Sequence, residues 1–142
     1  MKKFILSLLL LATVTAQAKV TWLTDLDAAK AKGVKENKPV LVDFTGSDWC
    51  PPCKALHKNV FSTEEFAKEA AGKYVLVELD FPRGDKETAE KNQPHAEKYH
   101  VDAFPTVIIF DDLQWADPSS LSLLRHALRI VDRIRVLVCV TR

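Results

Sequence analysis

Two cysteines, Cys50 and Cys53, are the residues of this sequence best placed for covalent chemistry. They enclose Pro51 and Pro52 and are followed by Lys54. Two thiols at this spacing, at the start of a helix, can close into a disulfide and open again to a dithiol. A helix N-terminus favours a thiolate, because its unpaired N–H groups and dipole stabilise negative charge. Cys50 is therefore the candidate nucleophile and Cys53 its resolving partner.

The same cysteine pair has two other interpretations, an inert structural disulfide and half of a zinc site. A zinc site needs about four ligands with paired spacing, and only Cys139 and four scattered histidines remain. Cys139 lies in an apolar run and is predicted to be a buried small hydrophobe. His57 follows Cys53 by one helical turn and could tune its thiol, but a solvated helix-face histidine is the simpler interpretation. We predict no metal and no organic cofactor.

The elements that must position the pair follow from the surrounding pattern. An apolar run predicts a strand at Val40–Thr45, a turn follows it, and a helix then runs from the cysteines to about Asn59. Proline suits the first turn of such a helix, where a missing N–H costs nothing. Further elements are predicted as follows: a helix at about Asp25–Lys35, a helix at Glu64–Ala71 after a capping box at Ser62–Glu65, a strand at Tyr74–Asp80, a polar loop or insertion at Phe81–Gln93, a short helix opened by Pro94 and ending at Tyr99, and a strand at Val107–Phe110.

Composition limits the chain to one domain with a substantial core. The sequence has 142 residues, of which 47% are hydrophobic and 27% charged, and its net charge is +1. This length is too short for two ordinary domains. The near-neutral charge gives no sign of nucleic-acid binding or of a basic membrane-binding surface.

The first 18 residues are predicted to be a secretory signal. A basic start at Lys2 and Lys3 precedes a short apolar core, and Ala16-Gln17-Ala18 fits a small-x-small cleavage site. An uncleaved anchor is the alternative. Export would place the cysteine pair outside the cytoplasm, where disulfide chemistry is possible. We expect no membrane attachment after cleavage.

Together, several stretches resemble exported bacterial proteins of the thioredoxin superfamily over about residues 20–110. They are Asp43-Phe44-Thr45-Gly46-Ser47-Asp48-Trp49-Cys50-Pro51-Pro52-Cys53-Lys54, then Phe61–Phe66, Glu78–Pro82 and Phe104-Pro105-Thr106. The resemblance implies an α/β fold, a thioredoxin-like sheet flanked by helices, with a thiol–disulfide site.

The resemblance also implies roles for particular residues. Cys50 and Cys53 would form the catalytic, redox-active disulfide, and Pro105 would be a cis-proline that faces it. Trp49 would shield the pair, with Lys54 and Thr106 as supporting residues of the same motifs. Asp43 would be a buried acid serving as a proton relay, although its spacing to Cys50 is one residue longer than in plain thioredoxin.

The C-terminal tail departs from the thioredoxin pattern. Residues 107–142 resemble the Walker B strand and following βα unit of P-loop ATPases of STAND-class signalling regulators, with Asp111 and Asp112 at the strand end. An ATPase also needs a Gly-rich phosphate loop, and none of the four glycines belongs to one. We therefore do not predict ATP hydrolysis, and interpret the chain as a fusion or chimera.

The tail can still complete the fold. Apolar residues at helical spacing predict a helix from Pro118 to about Val131, and residues 134–140 predict a buried strand. Strand, helix and strand would form a right-handed βαβ unit, with the last strand parallel to the Val107 strand. The predicted organisation is a signal peptide at residues 1–18, a thioredoxin-like domain at 19–110, and an atypical tail at 111–142 packed on the same domain.

The function predicted from these observations is extracytoplasmic thiol–disulfide exchange with other proteins. The partners would be protein thiols or disulfides and a redox partner protein, and the chain is expected to be a monomer. A non-catalytic interaction module or a defective fusion protein is the alternative. A nucleotide-binding fragment is a third, less favoured interpretation.

Overall fold

A five-stranded mixed sheet is the framework of the computed structural model, which describes residues 20–112 and 135–141. The strand order is β1-β3-β2-β4-β5. Strands β1, β2 and β3 are mutually parallel, β4 runs antiparallel to β2, and β5 runs parallel to β4. The strands are β1 Trp22–Leu23, β2 Val40–Thr45, β3 Val75–Asp80, β4 Thr106–Asp112 and β5 Arg135–Thr141.

The helices begin at polar side chains that accept a hydrogen bond from the first turn. They are α1 Leu26–Glu36, α2 Pro51–Leu56 with a π-helical continuation at His57–Phe61, α3 Glu64–Ala70 and α4 Lys86–Lys98. Asp25 caps α1, Thr63 caps α3 and Asp85 caps α4, each accepting from the N–H three residues on. The cap of α3 is thus Thr63, where the predicted capping box begins one residue earlier.

Side chains that alternate in direction along β2 contribute to a hydrophobic core on each face of the sheet. Val42 and Phe44 pack on one face against Leu26 of α1 and Ala96 of α4. Leu41 packs on the other face with Leu56 of α2. Since successive side chains of a strand point to opposite faces, one strand holds both helix layers. The predicted α/β fold with flanking helices is confirmed.

The prediction for residues 81–99 is wrong. Most of the stretch expected as a polar loop belongs to α4, and Pro94 lies inside that helix instead of opening it. The helix shows no apolar stripe, because its buried residues are Asn92 and Ala96. The Asn92 amide donates to the Asp80 carbonyl at 2.8 Å, so a polar contact holds the helix to the sheet. A search for regularly spaced apolar residues does not detect a helix held in this way.

The tail strand is confirmed by the backbone pairing. All seven residues of β5 are in parallel register with β4, from Thr106 opposite Arg135 to Asp112 opposite Thr141. The predicted helix at 118–131 and the predicted signal at 1–18 lie outside the described residues. Within the described ranges, no helix has the length and apolar character needed to cross a membrane.

Hydrogen exchange tests whether the tail is part of the stable sheet. We expect the amides of residues 135–141 to exchange slowly, because pairing with β4 protects them from solvent. The measurement is amide exchange by NMR or mass spectrometry, with β4 itself as the internal reference. Exchange of the whole segment at the rate of an unstructured peptide would contradict the pairing.

Candidate active site

The predicted cysteine pair is a disulfide at the start of α2. Cys50 is the N-cap residue and Cys53 lies in the first turn, with their Cα atoms 5.3 Å apart. Cys50 Sγ also accepts a hydrogen bond from the Cys53 N–H at 3.3 Å. Each cysteine is only 2% exposed. The pair therefore occupies the helix N-terminus that the sequence indicated, but little of either residue reaches the surface.

The loop before the pair, residues 46–50, folds tightly around Gly46. The Gly46 carbonyl accepts hydrogen bonds from the N–H of Trp49 at 3.3 Å and of Cys50 at 2.9 Å. A Cβ atom on Gly46 would lie 2.6 Å from the indole ring of Trp49. Only glycine lets the ring lie against the backbone here, so Gly46 sets the position of the residue that precedes Cys50.

Trp49 joins the cysteine loop to the loop that precedes β4. Its indole Nε1 donates to the Phe81 carbonyl at 2.8 Å. Its ring meets Phe104 edge to face, with centroids 5.8 Å apart. Phe104 precedes Pro105 through a cis peptide bond, as the sequence predicted. The residue before Cys50 thus contacts the residue before Pro105, which brings the two predicted motifs together.

A second connection links the cysteine loop to residues 80–84, which begin with the last residue of β3. The carboxylate of Asp48 accepts hydrogen bonds from the backbone N–H of Arg83, at 3.0 and 3.1 Å, and of Gly84, at 3.0 Å. These bonds, chiefly the one from Arg83, lower the pKa of Asp48. We call this carboxylate and its two N–H donors the Asp48 clamp.

Two further contacts strengthen the link between these segments. The Asp80 carboxylate accepts from the Ser47 backbone N–H at 2.9 Å and from its hydroxyl at 2.5 Å. The guanidinium carbon of Arg83 lies 4.6 Å from the centre of the Trp49 ring. Sequence reasoning did not find these roles. The available signal was the extra residue between Asp43 and Cys50, which lengthens the loop that carries Ser47 and Asp48.

Asp43 lies on β2 among the residues beneath α2 and is 3% exposed. Its register partners are Glu78 on β3 and Val107 on β4. One carboxyl oxygen, Oδ1, has no hydrogen-bond partner within the described part of the chain. Burial, reinforced by the charges of Glu78 and Asp80, raises the pKa of Asp43 well above its ordinary value.

Glu78 responds to the same environment. Its own pKa is raised by burial, with a smaller opposing effect from His57 and a further increase from Asp80. Asp43 and Glu78 share one face of the sheet because register partners on adjacent strands point the same way. The face beneath the cysteine helix therefore carries two carboxyls that both resist ionisation.

The remaining predicted site residues have structural contacts. The Lys54 ammonium donates to the Asp48 carbonyl at 2.8 Å, and the Thr106 hydroxyl donates to the Ala103 carbonyl at 2.7 Å. His57 is exposed at the end of α2. Across residues 20–112 and 135–141, no three His, Cys, Asp or Glu side chains converge on a common point that could hold a metal ion.

Substituting Gly46 tests the packing of Trp49. We expect Gly46→Ala to lower the free energy of unfolding by roughly 1–3 kcal/mol, because the added methyl overlaps the indole ring. Urea denaturation measures the change. Gly84→Ala is the matched control, since a Cβ there meets the Asp48 Oδ2 only at an ordinary 3.6 Å. Equal stability of the two variants would show that the ring does not pack as described.

The raised pKa of Asp43 gives a pH dependence with a defined sign. Native Asp43 holds its proton more tightly than the unfolded chain does, so its contribution to stability falls as pH rises above the unfolded pKa of about 3.9. We therefore expect Asp43→Asn to gain stability relative to the wild-type chain between about pH 4 and 7. Denaturation at a series of pH values measures the difference.

Asp48 is the control for Asp43, because its pKa is shifted in the opposite direction. The pKa of Asp48 is lowered, so its stabilisation is present above the unfolded pKa and is lost as pH falls. Asp48→Asn should therefore lose stability relative to the wild-type chain as pH rises toward the unfolded pKa of about 3.9, with little further relative change at higher pH. Parallel curves for wild-type and Asp43→Asn would contradict a perturbed Asp43.

Comparison with known proteins agrees with this geometry. A family model described as thioredoxin-like matches residues 21–112. The chain is 31% identical over 99 residues to the disulfide bond reductase DsbH of Chlamydia pneumoniae, which covers 68% of this chain and 59% of that protein. It is 33% identical over 106 residues to an H-type thioredoxin of Chlamydomonas reinhardtii, covering 75% of this chain and 80% of that one.

Solved structures show the same fold. A structure titled DsbH oxidoreductase superposes with a TM-score of 0.63 at 26% identity, covering 81% of this chain and 88% of that one. A thioredoxin from Thermus thermophilus superposes with a TM-score of 0.53 at 18% identity, covering 75% and 84%, and shows the fold alone. The chain spans less than two thirds of the Chlamydia DsbH sequence. By its family match, its relatives and its cysteine pair, this chain belongs to the thioredoxin-like family.

Proposed function

We propose that this chain catalyses thiol–disulfide exchange with protein substrates. The observation that carries the proposal is the Cys50–Cys53 disulfide at the N-terminus of α2, in a chain of the thioredoxin-like family. Similarity to the disulfide bond reductase DsbH of Chlamydia pneumoniae supports the same chemistry. No organic cofactor is needed, because the two sulfurs carry the electron pair themselves.

In the reducing direction, the reaction starts from the dithiol. The Cys50 thiolate attacks one sulfur of a substrate disulfide, forming a mixed disulfide and releasing the first substrate sulfur as a thiolate that takes up a proton. The Cys53 thiolate then attacks Cys50 Sγ, closing the Cys50–Cys53 disulfide and releasing the second substrate thiol. The substrate gains two electrons and two protons, and a donor protein must reduce the pair again. The reverse sequence oxidises a substrate dithiol.

Neighbouring residues have proposed roles that follow the resemblance. Pro105 would face the disulfide, which the contact between Trp49 and Phe104 supports. Trp49 would shield the pair. Asp43 would hold or pass a proton during the attack by Cys53, which its burial and raised pKa support. Lys54 and Thr106 would support the loops that carry these groups.

The low solvent exposure of the two cysteines favours the other candidate, an inert structural disulfide. With each cysteine 2% exposed, a substrate sulfur must displace part of the surrounding surface to reach Cys50. The neighbouring Pro51 is exposed, and Pro52 and Trp49 are half-buried. The proposal therefore requires that reduction of the pair opens Cys50 to attack from the side of Pro51.

The setting of the reaction is also proposed. The signal-like first 18 residues would place a mature chain of 19–142 outside the cytoplasm, as a monomer with a redox partner protein. Residues 19–110 would form the redox domain, with the tail packed on it through β5. The likeness of residues 107–142 to a Walker B region stays a prediction, and the family match ends at residue 112.

Two assays test the proposal. The reduced chain should catalyse insulin reduction by dithiothreitol, and Cys50→Ser should abolish the catalysis because the attacking sulfur is lost. Cys53→Ser should instead trap a mixed disulfide with the substrate, visible by mass spectrometry. Equal rates for the wild-type chain and Cys50→Ser would remove the enzyme interpretation.

Alkylation tests the access requirement directly. After reduction of the folded chain, iodoacetamide should modify Cys50 faster than Cys53, because the N-cap position favours its thiolate. Peptide mapping by mass spectrometry identifies the modified residue. If neither thiol reacts until the chain is unfolded, the inert structural disulfide is the correct interpretation.

A further inference from the structure

A guanidinium group lies over Trp49, the residue before Cys50, and has no role in the exchange just described. The Cζ atom of Arg83 is 4.6 Å from the centre of the Trp49 ring, and Trp49 directly precedes Cys50. Arg83 is exposed, whereas the cysteines are buried. A substrate that presents its disulfide to Cys50 therefore approaches a surface where this cation is available.

Hydrogen bonds fix the backbone of Arg83 and the indole ring of Trp49, the two supports of the Arg83–Trp49 stack. The backbone N–H of Arg83 is held in the Asp48 clamp, and the indole N–H of Trp49 is held by the Phe81 carbonyl. A cation held in place before binding loses less conformational entropy when it meets a partner. Its contact with the anchored Trp49 ring therefore restricts the guanidinium more than a lysine on a free surface is restricted.

The charge of Arg83 is the smallest of the causes that shift the pKa of Asp48, so the guanidinium interacts only weakly with that carboxylate. Within residues 20–112 it forms no ion pair; the ion pairs of that range join lysines to glutamates. The nearby Asp48 and Asp80 carboxylates accept from backbone N–H groups and from the Ser47 hydroxyl. Lys54 directs its ammonium to the Asp48 carbonyl. The planar N–H donors of Arg83 suit a carboxylate, which they can bind with two parallel hydrogen bonds.

We propose that Arg83 is a specificity-determining residue, held in position by the Asp48 clamp, that binds a carboxylate located beside the disulfide of the substrate. The preferred substrates are then disulfides flanked by Asp or Glu. The inference rests on the proposed thiol–disulfide exchange and names the substrate class for the same site. An exposed charge-assisted contact of this kind corresponds to a preference of about 1.5- to fivefold in kcat/KM.

The experiment compares two peptides that differ in one charge. Each carries an intermolecular disulfide, one with Glu beside the half-cystine and the other with Gln at that position. The wild-type chain should reduce the Glu peptide with the higher kcat/KM, by about 1.5- to fivefold. Arg83→Gln should bring the ratio close to one. Lys86→Gln, which removes an exposed cation at the start of α4, should leave the ratio as in the wild-type chain.

A third variant distinguishes the positioning of Arg83 from the net charge of the surface around it. Asp48→Ala removes the clamp and also removes a negative charge near Arg83. If net charge alone attracted the substrate, the preference for the Glu peptide would increase; if the clamp positions Arg83, the preference decreases. We expect a decrease, and an increase would overturn the positioning role.

The outcomes also separate this inference from the proposed function. If both peptides are reduced and Arg83→Gln leaves their ratio unchanged, the exchange activity stands and the charge preference is overturned. If the wild-type chain reduces neither peptide, the proposed function fails and the inference fails with it. A ratio that falls in Arg83→Gln and not in Lys86→Gln supports the assignment.

Discussion

The hydrogen bonds between residues 46–50 and residues 80–84 are the constraint on which the site depends. The first segment follows β2 and the second begins at the last residue of β3. These strands are parallel neighbours, so both segments leave the sheet at the same edge. The Asp48 clamp, the Ser47–Asp80 pair and the Trp49 indole bond then fix one segment against the other. Because Cys50 follows Trp49 directly, whatever fixes this pair of segments also fixes the start of the cysteine helix.

The sheet itself supplies the second constraint through its register. Pairing Asp43 with Glu78 places two carboxyls on the face that packs under α2, and the burial there raises the pKa of both. A buried acid with an unpaired oxygen destabilises the fold at neutral pH unless it stays protonated. A stability cost of this kind is typical of functional positions, and it supports the proposed proton-handling role of Asp43 more strongly than the sequence resemblance does.

The sequence predicted those parts of the molecule that periodicity and covalent chemistry control. Strand β2, the cysteine pair at a helix start, the cis bond before Pro105 and the parallel tail strand all carry signals in their residue types. Helix α4 carries no such signal, because polar Asn92 and small Ala96 provide its inner face. The Asp48 clamp was also beyond the sequence, since it joins a side chain to backbone N–H groups 35 and 36 residues away. A contact to the backbone leaves no pattern in the side-chain sequence.

The hydrogen bonds between the two loops and the register of the sheet place different charged groups at different depths around the disulfide. Carboxyls that resist ionisation lie below the cysteine helix, whereas the exposed guanidinium of Arg83 lies beside it at the surface. The Asp48 carboxylate of the clamp accepts from the backbone N–H of Arg83, and its lowered pKa keeps it charged and bound to backbone N–H groups. Releasing that carboxylate would free the loop that positions Arg83, so the negative charge of Asp48 maintains the site where a substrate carboxylate is expected to bind. Within the described part of the chain, β2 and β3 thus carry the two buried carboxyls and also lead into the loops that hold Asp48 and Arg83.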